Sequence, residues 1–129
     1  MAASFDDRLS DAFDRGLRDG IDSLSHADQE LFRIQDFIID YEMGGLSGYL
    51  YNRLPDIQRI RAAIAAMRKH GLVELSKLLS EATVLFANYT ESKTRPTWNS
   101  VLQKYDPGNK LKKIDLHIEE LENYGIPCE

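Results

Sequence analysis

A chain of 129 residues that is 43% hydrophobic and 29% charged has enough apolar material for one cored domain, and its composition is far from that of a disordered tail. Its single cysteine, Cys128, excludes an internal disulfide framework; the first residues lack the basic flank and apolar run of a secretory leader; and no apolar stretch nears the length of a membrane span, so a cytoplasmic protein without membrane contact is expected. The net charge of −5 disfavours direct binding to nucleic acid and is unevenly spread: residues 1–42 carry eleven acids and four bases, residues 43–113 five and twelve, and residues 114–129 five acids and no base.

Apolar residues recur at helical spacing along most of the chain. Phe5, Leu9, Phe13 and Leu17 step by four and predict a first amphipathic helix, whose end Gly16 and Gly20 should weaken. Ser25, with Asp28 three residues on, reads as the cap of a second helix. Its stripe of Leu31, Ile34, Phe37, Ile38 and Tyr41, flanked by Phe32 and Ile39, is broad enough for the central helix of the fold. Gly44-Gly45 should stop it, and Leu46 to Leu54 should form a further turn or two before Pro55-Asp56 starts a helix with Ile57, Ile60, Ile64 and Met67 inward. After His70-Gly71, a helix is predicted with Leu75, Leu78, Leu79, Ala82, Leu85, Phe86 and Tyr89 on one face. Residues 90–96 read as a polar loop, Thr97 to Leu102 as a short helix, and Asp106-Pro107-Gly108-Asn109 as a turn; a last helix carries Leu111, Ile114, Ile118 and Leu121 and stops near Gly125 and Pro127. No segment alternates in the manner of a strand. The expected fold is all-α, a compact single-domain bundle of about five to seven helices, with an acidic N-terminal helix (residues 1–24) packed on a core spanning 28–124.

The chain holds no phosphate-binding loop, dinucleotide fingerprint, zinc spacing or nucleophile elbow. Cys128 reads as a passive terminal thiol. His26 and His70 have sufficient roles at helix boundaries, and His117 with Glu120, one turn apart, makes two metal ligands where a site needs more. Trp98, Tyr49, Tyr51 and Tyr89 read as core or rim aromatics. No cofactor, metal or catalytic residue is expected.

Carboxylates repeat at helix-neighbour spacing in three places: Asp7, Asp11 and Asp14; Asp36 and Asp40; and Asp115, Glu119 and Glu122. The plainer reading is a solvated face offset by the basic middle of the chain. The sharper reading is an acidic ridge that imitates DNA phosphates before a basic, DNA-binding partner. A carboxylate pair doing acid–base catalysis is disfavoured, because these acids are expected on polar faces where burial would not raise a pKa.

The stretch Asp40-Tyr41-Glu42-Met43-Gly44-Gly45-Leu46-Ser47-Gly48-Tyr49-Leu50-Tyr51-Asn52 resembles the hallmark of a bacterial domain-of-unknown-function family that includes a DNA-mimic protein. Ile64 to Phe86, Trp98 and the Asp106 turn are similar to its later parts, so that the resemblance spans roughly residues 28–120. It implies an all-helical fold and, for one type of member, an acidic dimer that occupies the DNA-binding face of a transcription regulator. Met43 departs from the family's usual Asn, and Arg59, Arg61, Arg68 and Lys69 dilute a DNA-like potential. Within the motif, Gly44 and Gly45 read as a helix stop, Tyr49 as a residue packing back on it, and Asn52 as a partner for backbone groups at the turn. The expectation is a non-enzymatic protein–protein interaction module, in its sharpest form an acidic regulator of a basic DNA-binding protein. An immunity- or antitoxin-type inhibitor and an enzyme with an unrecognised site stay open as alternatives.

Overall fold

The structure is a computed structural model that describes residues 4–90 and 93–127; Cys128 lies outside the described residues. They form six α-helices and three 3₁₀ turns with no strand among them: α1 (Phe5–Asp19), α2 (His26–Arg53), α3 (Ile57–Lys69), α4 (Val73–Val84), α5 (Trp98–Tyr105) and α6 (Lys110–Glu120). The 3₁₀ turns cover Ile21–Ser23, Arg95–Thr97 and Glu122–Gly125. The expected all-α bundle is what the chain adopts.

Local chemistry sets the helix starts. Ser4 Oγ accepts the Asp7 N–H and Ser25 Oγ the Asp28 N–H, each at 3.1 Å, satisfying a donor that has no partner inside the helix. Asp56 caps α3 in the same way through the Arg59 N–H. The Asp106 turn does more than reverse the chain. Its buried carboxylate accepts the Lys110 and Leu111 N–H groups at 2.7 and 3.0 Å, so it caps α6 from four residues before the helix begins.

Two expectations need correction. Gly16 does not weaken the end of α1. It lies inside the helix where α1 crosses α2, and a Cβ there would stand 2.4 Å from the Phe32 ring, so glycine sets how closely the helices approach. Gly20 is the actual stop, with φ at 91°. Regular α4 ends at Val84, before Phe86 and Tyr89. The Thr83 hydroxyl bonds back to the Leu79 carbonyl at 2.7 Å, and tighter turns through Thr83, Val84 and Phe86 carry the chain on, with Phe86 and Tyr89 still buried.

The decisive feature is inside α2. Gly45 has φ 64° and ψ −164°, a region essentially closed to residues with a Cβ. A straight helix would hold Asp36 and Arg53, seventeen residues apart, at roughly 25 Å. Their side chains instead meet, and the Phe37 and Tyr49 rings pack edge to face at 4.8 Å. So α2 is two arms, residues 26–44 and 46–53, folded back on one another. The first arm packs against α1 and α3, and α2 also touches α6. Leu31, Ile34, Phe37, Leu46, Tyr49 and Leu50, from both arms, form the centre of the core and are at most 1% exposed.

Of the paired glycines only the second is required. A Cβ at Gly44 meets nothing within 4 Å, whereas one at Gly45 faces Asp115 Oδ2 at 3.2 Å and suffers the backbone strain as well. Gly45→Val should therefore cost about 2–3 kcal/mol or more, while Gly44→Ala should be neutral or stabilising by up to about 1 kcal/mol. Urea denaturation of both variants checks this, and equal losses at the two positions would contradict the folded-back reading of α2.

Candidate functional site

The eight candidate acids divide sharply by environment. Asp36 and Asp40 do not form a free ridge. Both close on the Arg53 guanidinium, Asp40 at 2.6 Å, and Arg53 is buried with its guanidinium carbon 4.8 Å from the Tyr49 ring centroid. Burial disfavours the Arg53 charge, but Asp36 chiefly, with Asp40, outweighs it and holds the pKa above the ordinary value. Asn52 donates to Asp40 at 3.4 Å, so its partner is a side chain rather than the turn backbone. Tyr49 is buried where expected, and burial raises its pKa.

On α1, Asp11 pairs with Arg15 at 2.9 Å, and the same guanidinium reaches Asp28. That contact holds the Asp28 carboxyl below its usual value. Asp7 and Asp14 are exposed and form no ion pair among the described residues.

Asp115, Glu119 and Glu122 sit at the other end of the chain, and the fold brings further acids to them. Asn123 donates to Asp6 of α1 at 3.3 Å, and the Tyr124 hydroxyl donates to Glu42 of α2 at 3.0 Å. The Tyr124 ring stands edge-on to Tyr41 at 6.0 Å, and the Tyr41 hydroxyl donates to the Asp115 carbonyl at 3.1 Å. Asn123, Tyr124 and Gly125 hold φ of 48°, 60° and 81°, three consecutive left-handed residues of which two carry side chains. This turn places Asn123 and Tyr124 between three segments remote in sequence. Burial, then Glu42, pushes the Tyr124 hydroxyl up to about 12, so it stays a donor across the ordinary pH range. Asp6, Glu42, Asp115, Glu119 and Glu122 thus gather at one end, and none of them forms an ion pair with Lys or Arg among the described residues.

Sequence reasoning missed Asp6, Glu42, Tyr41 and Tyr124 here. None belongs to an acid repeat at helical spacing, and the contacts that join them span 74 to 117 residues. Asp115 also contradicts the expectation that these acids lie on polar faces. Its Oδ1 accepts the Leu46 N–H at 3.0 Å, capping the second arm of α2 across the Gly45 break. Burial raises its pKa, the Leu46 bond opposes the rise, and Glu119 adds to it. His117 and Glu120 pair with one another at 3.6 Å on the surface. Among the described residues, no group of three or more His, Cys, Asp or Glu side chains could hold a metal ion, and no helix is long and apolar enough to cross a membrane.

The architecture defines an all-helical protein with a folded-back central helix and an unneutralised acidic end. The chain belongs to the DMP19-like protein family, whose model matches residues 22–125, and this is a family of the DNA-mimic type that the Asp40–Asn52 motif resembles. No curated protein and no solved structure matches the chain. The matched span contains the break, Glu42 and the acids of α6; α1, with Asp6, Asp7, Asp11 and Asp14, lies before it.

A carboxyl whose native pKa is raised binds more protons folded than unfolded over the interval between the two values, so its ionisation lowers stability as pH rises through the native value. Asp115→Asn keeps an oxygen for the Leu46 N–H and removes the charge. The variant should withstand more urea than the parent at neutral pH, and the gap should close below the usual carboxylate range. A variant less stable at neutral pH, with a gap that disappears in acid where the parent carboxyl is itself protonated, would show instead that the cap needs the charge.

Proposed function

We propose that this chain is an acidic binding protein, not an enzyme, which presents carboxylates in place of DNA phosphates to a basic DNA-binding protein. The observation that carries this reading is the gathering of Asp6, Glu42, Asp115, Glu119 and Glu122 from three remote segments at one end, with no Lys or Arg ion pair to any of them among the described residues. Like charges brought together cost the free chain stability, and a cationic partner offsets that cost when it binds. Membership of a DNA-mimic family supports the same reading.

The internal ion pairs refine it. Asp36 and Asp40 are spoken for by Arg53, and Asp11 by Arg15. The partner-facing charge is therefore assigned to the acidic end, with Asp7 and Asp14 of α1 as exposed contributors. The basic residues Arg59, Arg61, Arg68 and Lys69 are exposed on α3. Lys69 turns to Glu30, which leaves less free positive charge than the composition suggests.

The test is affinity capture from native cell extract with the full chain as bait. The expected partner is a DNA-binding protein that raised salt releases and that its own duplex displaces, because both compete for the same cationic surface. Neutralising Glu42, Glu119 and Glu122 together as Gln should weaken binding by about tenfold, taking roughly 0.5 kcal/mol for each exposed pair. Retention unchanged by salt or by duplex would overturn the mimic reading, and so would full affinity in the triple variant.

A further inference from the structure

A groove of about 590 Å³ opens beside the α2 break, between Gly44 and Ser47 on one side and the α5–α6 connection on the other. Leu102, Pro107 and Leu111 supply apolar wall, and Asp106, Lys112 and Asp115 supply charge. Asp106 has both oxygens committed to capping α6. Asp115 commits only Oδ1, to Leu46. Its Oδ2 takes no hydrogen bond among the described residues, and Glu119 stands one helical turn further along the same face of α6. Lys112 is the one cation lining the groove; it lies almost a turn before Asp115 and forms no ion pair with it among the described residues.

Two large apolar side chains next in the sequence to lining residues face solvent: Met43, which precedes Gly44, is 83% exposed, and Leu116, which follows Asp115, is 59% exposed. A half-buried carboxylate with an unused oxygen, a second acid a turn away and an apolar wall together fit one kind of visitor: an aliphatic stem ending in a delocalised cation. Arginine has that form, and its planar fork can meet two carboxylates at once, whereas a neutral apolar group would leave Asp115 desolvated without a partner.

We propose that this groove receives an arginine side chain of the protein partner, with its methylenes against Leu102, Pro107 and Leu111 and its guanidinium between Asp115 Oδ2 and Glu119. The proposal rests on the reading of the acidic end as the partner-facing surface and deepens it. Proteins that grip DNA phosphates do so largely with arginine and lysine, so a basic partner brings the group that the groove fits. Lys112 competes with the visitor, which gives the proposal a signature that a purely structural role for these residues lacks.

The test titrates the full chain with acetyl-Gly-Arg-Gly-amide and with the same peptide carrying citrulline, an uncharged isostere, while amide resonances are followed by NMR. The arginine peptide should move Leu46, Ser47 and the α6 amides around Asp115 in a saturable manner, and the citrulline peptide should not. Asp115→Asn and Glu119→Gln should each weaken binding about three- to tenfold, and Lys112→Ala should tighten it about twofold. The remainder of each spectrum reports whether the fold is intact. Equal responses to both peptides, or an Asp115→Asn variant that binds as the parent does, would overturn the proposal. Loss of the peptide response alongside capture that still yields to duplex would remove the groove and leave the acidic-end reading standing. A groove that binds arginine in a chain whose capture ignores salt and duplex would do the reverse.

Discussion

The hydrogen bond from the Leu46 N–H to Asp115 is the contact on which the rest of the molecule turns. A helix that breaks exposes new unpaired donors at the start of its next segment, and burying them without acceptors is costly. At Gly45 the break is forced by a backbone conformation that only glycine accepts readily, and the donor it frees is met by a carboxylate from the last helix. One bond therefore ties the centre of the chain to its end. It lets α2 double back, brings Tyr49 against Phe37, and sets α6 where its acids join Glu42.

The same geometry decides what each acid is for. Doubling α2 back carries Arg53 onto Asp36 and Asp40, so that a buried cation is matched by two partly buried anions. Such a group depends heavily on its partners, since removing one side leaves charge in a poor solvent. It is a structural clamp across the break. The acids of α6 have no such clamp, and Asp115 in particular keeps an ionised oxygen in a half-buried place at some cost to stability. The division between neutralised and unneutralised carboxylates, more than the net charge of −5, distinguishes the fold's own chemistry from what it offers outward.

Local signals were legible in the sequence because they act over a few residues. The Ser25 cap, the stripe through Leu31 and Tyr41 and the stop at the paired glycines each depend on neighbours within a turn or two. The direction taken after the stop was not legible: the same residues could prolong a helix axis or reverse it, and the Phe37–Tyr49 contact that decides it is tertiary. The acids show the same limit. Spacing placed Asp36 and Asp40 on one face but could not reveal that Arg53 would lie across them. Asp106 looked like turn chemistry because a cap acting from upstream of an asparagine in the left-handed region has no short motif. Nor does composition announce a left-handed turn through Asn123 and Tyr124, which the surrounding contacts hold in place.

The close crossing at Gly16 bears on how far the family's signature and the closed core coincide. The matched residues begin at 22, yet Leu9 and Ala12 of α1 are wholly buried, and Phe13 stacks on Phe32 at 4.9 Å. Phe32 lies within the signature and α1 covers it. A chain trimmed to the signature would bare that ring and the strip around it, and bare strips of this kind drive self-association.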